Sequence, residues 1–476
     1  MDRKKEGKKD NEQDEEFLKE KTKKLSIKEG VAYSVMDGAG LRYISPYALS
    51  LGANNTQIGL LTSLSSLIGN FSQIFSPRLM EKKSRKNVIL FGVLFQALMW
   101  IPLILIALIF ILRKQVEPTS IYFVIAIYTM IVFFGSIAAP AWNSLMKDII
   151  TKESGKYFGF RNRILGITAL VVMILASLLL NYFKEKQEVM IGFIILFSLA
   201  FLFRIVSFKI LSKHYEPKLN LEKGYYFSFK DFIKESYKNN FGKFTLFIAL
   251  IMFATSVASP FFTVYMLKNL NLNYFYWTLI TISSSISTII FMPIWGKISD
   301  KFGNLRVLKV TGALIPFVPF LWFFSVFINS SRPEILLYYL FPVEFFSGIV
   351  WAGFNLSSLT FIYDAVSKQR LALCVAYYNA LSGVGIFLGA LLGGLISSLN
   401  IHFFNIDIIL WIFMLSAVLR MIVYLFMINK IKEVRKTEEY KNGDIIKHFK
   451  KELKDDLKMM IYPVYNRLGI HPIRQT

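Results

Sequence analysis

Twelve stretches of this 476-residue chain are apolar for about twenty residues each: 29–50, 57–77, 88–112, 120–146, 164–183, 189–211, 244–267, 274–296, 307–328, 335–363, 374–399 and 405–429. A helix needs roughly 20 such residues to cross the hydrocarbon core of a bilayer. Backbone inside that core must satisfy its own hydrogen bonds, which leaves helices or closed barrels. Runs of this length select helices, so an all-α integral membrane protein with twelve transmembrane helices is expected. The composition agrees: 54% of residues are hydrophobic and only 18% charged, which excludes an ordinary soluble domain.

The net charge of +23 would suit a nucleic-acid binder, but its placement argues otherwise. Of the 55 Lys and Arg, six (Arg113, Lys114, Lys184, Lys186, Lys268, Arg332) fall in links on one side. Arg42 and Arg420 lie within runs, and the remaining 47, counted over 1–28, 78–86, 147–163, 204–243, 297–309, 368–370 and 430–476, fall on the other side. Basic residues accumulate on the cytoplasmic side of membrane proteins. The expectation is therefore a multi-pass protein of the cell membrane with both termini cytoplasmic, its basic tails touching anionic lipid rather than nucleic acid. Residues 1–28 are too charged for a cleaved signal peptide and read as a disordered cytoplasmic tail. Residues 212–243 form a long basic and aromatic cytoplasmic link between two halves, 29–211 and 244–430. In the basic tail, 431–476, Ile445–Met460 has apolar residues at helical spacing, as a helix lying on the membrane would. With Cys374 as the one cysteine and the four histidines outside span interiors, no metal site, cofactor or histidine relay is expected.

The link Gly296-Lys-Ile-Ser-Asp-Lys-Phe-Gly-Asn-Leu-Arg-Val307 joins two runs tightly. Its glycines permit close helix approach and a positive φ. The Asp300 carboxylate suits backbone N–H groups or a helix N-terminus. The halves also echo one another. An offset of 219 places Pro77, Glu81, Ser84 and Val88 on Gly296, Asp300, Gly303 and Val307. Asn143, Asp148, Tyr157 and Asn162 follow the fourth run in the same order as Asn355, Asp364, Tyr378 and Asn379 follow the tenth. Paired halves are the mark of a parallel-repeat transporter.

Gly296, Asp300, Gly303 and Arg306 resemble the G-x-x-x-D-x-x-G-x-[RK] loop of the major facilitator superfamily, with Arg306 one place late. The runs Pro140–Asp148 and Trp351–Leu356 are similar to those of poorly characterised prokaryotic members. The resemblance covers residues 29–430. It implies two six-helix pseudo-repeats, a cavity between halves lined by the first, fourth, seventh and tenth spans, and alternating access. It also implies a cytoplasmic gate at Gly296, Asp300, Gly303 and Arg306 with Asp148, Asp364 and Arg370, in which Asp300 touches the start of the eleventh span. The first-half loop has lost its glycines, and 166–182 lacks the Gly-x-x-x-Gly-Pro run of many drug/proton antiporters, which counts against drug efflux.

Ionisable groups inside spans are costly and usually functional. Asp37 and Arg42 lie in the first span, about 140° apart around the helix, so a simple intrahelical pair is not expected, and Gly38, Gly40 and Pro46 nearby suggest a bent or closely packed helix. Glu344 lies near mid-membrane beside Pro342, on a stripe with Ser347, Gly348, Trp351, Asn355 and Ser358. Glu344, then Asp37, are the candidates for binding a driving proton, with Arg42 as counter-charge or anion contact. Asn143, Trp351 and Asn355 are candidate cavity residues. Gly385, Gly389 and Gly393 read as a packing seam, and Arg420 as snorkelling or pairing within its half. The expected function is secondary active transport of a small solute, proton-coupled, by a monomer. The competing readings are a membrane enzyme or a lipid or oligosaccharide flippase of another twelve-span fold. No nucleotide-binding loop, H-E-x-x-H or G-x-S-x-G run supports an enzyme.

Overall fold

The computed structural model describes residues 2–113, 119–150, 154–217, 228–328, 333–367, 370–399 and 406–435, with Phe449 and Glu452. Its helices are α1 (Asp2–Ala39), α2 (Ile44–Ser50), α3 (Asn55–Lys82), α4 (Arg85–Leu98), α5 (Trp100–Arg113), α6 (Thr119–Ile149), α7 (Ser154–Glu185), α8 (Val189–Leu211) and α9 (Phe229–Ser236). The second half holds α10 (Asn240–Ser256), α11 (Phe261–Val264), α12 (Tyr274–Phe302), α13 (Asn304–Leu314), α14 (Phe317–Phe323), α15 (Pro333–Ala365), α16 (Leu371–Ser397) and α17 (Ile408–Met427).

Eleven spans among the described residues are long and apolar enough to cross a membrane. The twelfth crossing is the first in the chain, where the end of α1, a 3-10 turn at Leu41–Tyr43 and α2 follow one another. Its break falls at Gly40, where a Cβ would meet the Trp100 ring at 2.4 Å. The breaks themselves repeat. The first crossing is interrupted at Gly40 and the seventh between α10 and α11. The third is interrupted at Met99 and the ninth around Ile315. An offset of 219 carries Gly40 to Ser259 and Met99 to Val318, so each break has its counterpart in the other half.

Residues 2–28 are helical rather than disordered, which corrects the expectation from composition. Thr22, Ser26 and Glu29 lie on one face of α1 and are buried, so its C-terminal half is held by packing along that face. Tyr157 Oη donates to the Lys23 carbonyl at 2.9 Å, and the Tyr215 N–H donates to Thr22 Oγ1 at 3.0 Å. The surface helix expected over Ile445–Met460 lies outside the described residues, apart from Phe449 and Glu452. Phe449 stacks on Phe291 (5.9 Å) and Trp295 (5.1 Å), and Glu452 pairs with Lys297 at 3.0 Å.

The glycine seam of α16 is as expected. Cβ atoms at Gly385, Gly389 and Gly393 would lie 2.2, 2.1 and 2.1 Å from the carbonyl oxygens of Ala249, Phe253 and Val257. Only glycine lets α16 lie this close to α10, the packing that replaces hydrophobic drive between helices in lipid. The other side of α16 meets α3 in the first half, where Gly59 approaches the Ala390 carbonyl and Gly383 approaches Asn70.

Candidate functional site

The link between α12 and α13 has the geometry its glycines suggested at one position. Gly303 takes φ +90°, the left-handed region that favours glycine. Gly296 is not a close approach, since a Cβ there would have Leu356 at an ordinary 3.7 Å. Asp300 is 81% exposed and pairs with Arg435 at 3.4 Å, rather than with the start of α16. Arg435 continues to Asp364 at 2.6 Å, and Asp364 accepts from Asn304 at 2.6 Å. Glu433 caps α13, accepting from the Leu305 N–H at 2.7 Å. The sequence reading missed Arg435 because it lies beyond the last span, where basic residues look like a solvated tail. Arg306 is partly buried, and Arg370 sits at the N-cap of α16.

The first half carries the counterpart. Arg85, fully buried, donates to Asp148 at 2.5 Å and to the Pro217 carbonyl at 2.7 Å, and lies 3.8 Å from Glu216. Ser84 supplies the N-cap of α4, accepting from the Asn87 N–H at 3.2 Å, in place of the lost glycine.

Asp37 and Arg42 do form an ion pair, at 3.2 Å. The expectation failed because the helix stops at Ala39, and the 3-10 turn swings Arg42 back over Asp37. In this structure Arg42 is engaged by Asp37. Glu344, partly buried in α15, accepts from the Trp322 indole N–H at 2.9 Å, and the cation whose field it feels is Arg420 of α17. Arg420 does not snorkel. It is 1% exposed and donates to Ser416 at 3.0 Å, the Ile315 carbonyl at 3.3 Å and the Thr255 carbonyl at 3.4 Å. Trp351 is partly buried edge-on to Phe354, and Asn355 is exposed on the same helix.

A cavity of about 410 Å³ opens within the first half, lined from α1, the turn at Leu41, α3, α4, α6, α7 and α8. Asn143 lines it together with Trp142, Tyr33 and Tyr128, although the cavity expected from the resemblance lay between the halves. From Tyr128 to Asn143 it follows α6 for about 22 Å of helix axis. In its wall lies an ion triad that the sequence reading did not assemble. Glu29 pairs with Arg161 at 3.3 Å and Arg204 at 3.8 Å, and accepts from Ser207 at 2.8 Å. Arg161 lies 4.6 Å over the Trp142 ring, and Arg204 lies 5.2 Å over Tyr33. A signal existed in the sequence: Arg204 falls inside the apolar run 189–211, yet it was counted with the charges of the link that follows.

At the face opposite the basic links, side chains tie the halves together. Tyr43 Oη donates to the Met173 carbonyl at 2.7 Å and lies 3.2 Å from Thr278 Oγ1. The Tyr274 N–H donates to Asn181 at 2.9 Å, and Thr56 donates to the Gly394 carbonyl at 3.1 Å. Towards the basic face, α3 and α16 are joined by Asn379 donating to Gln73 at 2.8 Å. There Phe229 of α9 packs between Phe71 and Tyr377.

A model described as the Major Facilitator Superfamily matches residues 30–356 and again 244–462. The chain belongs to this superfamily. Solved superfamily structures share its fold. The nucleoside transporter NupG superposes with a TM-score of 0.60 at 16% identity, covering 87% of this chain and all of that one. A mutant form of NupG gives 0.66 at 15%, again with 87% and 100% covered. A bacterial homologue of the iron transporter ferroportin, in an inward-facing state, gives 0.62 at 13% identity, covering 86% of this chain and 98% of that one. No curated protein matches the sequence. The family and its apolar helices make the chain a multi-pass membrane protein, and the family points to a transporter rather than an enzyme.

Proposed function

We propose that the protein is a secondary active transporter. It carries a small solute across the cytoplasmic membrane by alternating access, coupled to protons, as a monomer with both termini in the cytoplasm. The observation that carries this reading is the pairing of a cavity in the first half, walled by the Glu29–Arg161–Arg204 triad, with a tie between the halves at the face opposite the basic links. Tyr43 with Thr278, Asn181 with Tyr274 and Thr56 with Gly394 make that tie. The basic links mark the cytoplasmic side, so the site opens inward in this state. The Arg85–Asp148 and Arg435–Asp364 clusters brace the cytoplasmic ends of the two halves, and the halves rock as units about α3 and α16. Superfamily folds serve carriers of nucleosides and of iron, so the solute is set by cavity side chains rather than by the fold.

Glu344 is the proposed proton site. An ionisable group within an apolar span is usually functional, and the Glu344 carboxylate accepts from the Trp322 indole N–H at 2.9 Å. The experiment begins with a thermal-shift screen of metabolites and drugs, because a ligand of the folded state raises its stability. Hits are then tested in proteoliposomes with and without a pH gradient. Wild type should concentrate a hit against its gradient only when the pH gradient is present. Glu344→Gln should lose uphill uptake while keeping equilibrium exchange. Uphill uptake at the wild-type level by Glu344→Gln would remove Glu344 from the coupling role and pass the test to Asp37→Asn.

A further inference from the structure

We propose that the cavity of the first half binds the anionic group of a small organic anion through Arg161 and Arg204. This rests on the reading of the chain as a small-solute transporter and names the class of its substrate. Two guanidiniums face the cavity with one carboxylate, Glu29, between them. Glu29 is the one acidic residue lining the space among the described residues, so its wall carries a net charge of +1. Asp37 and Arg42 nearby neutralise each other. A buried guanidinium short of counter-charge is costly, and a ligand anion supplies what is missing.

The donors are in place as well as the charge. Arg204 is 4% exposed, and its Nε–H has no partner; the indole N–H of Trp142 has none either. Both residues line the cavity. A guanidinium offers a planar fork that matches a carboxylate or phosphate, and gains most where water is scarce. The rest of the wall suits an organic body rather than a bare ion. Tyr33, Tyr128, Val93 and Leu165 present rings and apolar surface, and the volume of about 410 Å³ lies within the usual range for small-molecule sites. The shared chemistry, an anionic head on an apolar body, also describes a lipid headgroup, and the test separates the two sources.

The test uses the full-length protein in micelles and calorimetry with benzoate, phenyl phosphate and inorganic phosphate, with benzamide as the neutral control. Glu29→Gln raises the lining charge by one, Arg204→Gln lowers it by one, and the double variant restores it. At least one anion should bind wild type while benzamide does not. Its affinity should fall about tenfold or more in Arg204→Gln, the loss expected for a hydrogen bond to a charged group. It should rise in Glu29→Gln and return towards wild type in the double variant. A triad that only holds helices together predicts the reverse for Glu29→Gln, and that result, or equal binding by all four proteins, overturns the proposal. So does the absence of any anion binding. In vesicles with and without phosphatidylglycerol, a soluble substrate binds equally, whereas loss of binding in the anionic vesicles assigns the site to a headgroup and overturns the small-solute assignment. Binding is read without transport. A correct charge order with no uptake in proteoliposomes therefore counts against the transport reading alone, and uptake of neutral solutes without that order counts against this inference alone.

Discussion

Arg85 and Asn304 occupy equivalent places in the two halves. Each opens the third crossing of its half, and each reaches the aspartate that closes the fourth, Asp148 at 2.5 Å and Asp364 at 2.6 Å. The offset of 219 that pairs them also pairs Glu216 with Arg435. The cation has thus changed elements. In the first half it comes from the start of α4, with a glutamate following the sixth crossing. In the second half an asparagine starts α13, and the arginine follows the twelfth crossing.

This exchange predicts unequal sensitivity. Arg85 is fully buried, so Asp148→Asn leaves a buried charge short of its partner and should cost about 1–3 kcal/mol, less than for a fully buried pair because Asp148 itself is 41% exposed. Arg435 is 36% exposed, so Asp364→Asn should cost about 1 kcal/mol or less. Arg85→Asn combined with Glu216→Arg rebuilds the second-half pattern in the first, and should recover much of what Arg85→Asn alone loses. Thermal unfolding in micelles measures all four. A double variant no more stable than Arg85→Asn would show that the clusters are not interchangeable.

The glycine seam predicts a sharp contrast. Gly389→Ala places a Cβ 2.1 Å from the Phe253 carbonyl, and the two backbones must part. The cost should be about 1–3 kcal/mol, as for other overpacked contacts. Gly159→Ala meets nothing within 4 Å and serves as the control, with little or no loss. Equal melting temperatures for the two variants would refute close α10–α16 packing.

His214, just beyond α8, has its pKa pushed down to about 4, first by burial and then by the charges of Lys86 and Arg161. The Lys86 ammonium also donates to the His214 carbonyl at 3.0 Å. The unfolded chain binds a proton near pH 6.5, so His214 contributes stability above that pH and loses it as pH falls towards 4. The loss is about 3 kcal/mol in full. His214→Phe should flatten the pH dependence of unfolding between 6.5 and 4. A slope identical to wild type would show that His214 titrates normally.

Much of the fold was legible because a bilayer imposes one strong rule, and runs of about twenty apolar residues follow from it. The glycines of α16 were legible for the same reason, since small residues at four-residue spacing have few other uses in lipid. The bend of the first crossing was signalled by Gly38, Gly40 and Pro46, but the stop after Ala39 was not, because the turn at Gly40 depends on the Trp100 ring from another crossing. That one break also reversed the reading of Asp37 and Arg42. The triad escaped for a different reason. Glu29 meets Arg161 across 132 residues and Ser207 across 178, and no local pattern joins them. Each looked like a charge at the edge of a loop. Glu344 was legible as an isolated acid in an apolar helix, but its partners Trp322 and Arg420 are fixed only by packing.

Alternating access is the central claim, and paired distances across both faces test it without a known substrate. In a Cys374→Ser background, spin labels at Asn143 and Asn355 report the cytoplasmic face, and labels at Glu185 and Lys268 report the opposite face. All four sites are exposed. Double electron–electron resonance in nanodiscs, across pH and with ligands from the thermal-shift screen, should give two distance populations for each pair. Conditions that shorten the first distance should lengthen the second. A single, unchanging distance for both pairs under every condition would contradict the account and describe a rigid membrane protein instead.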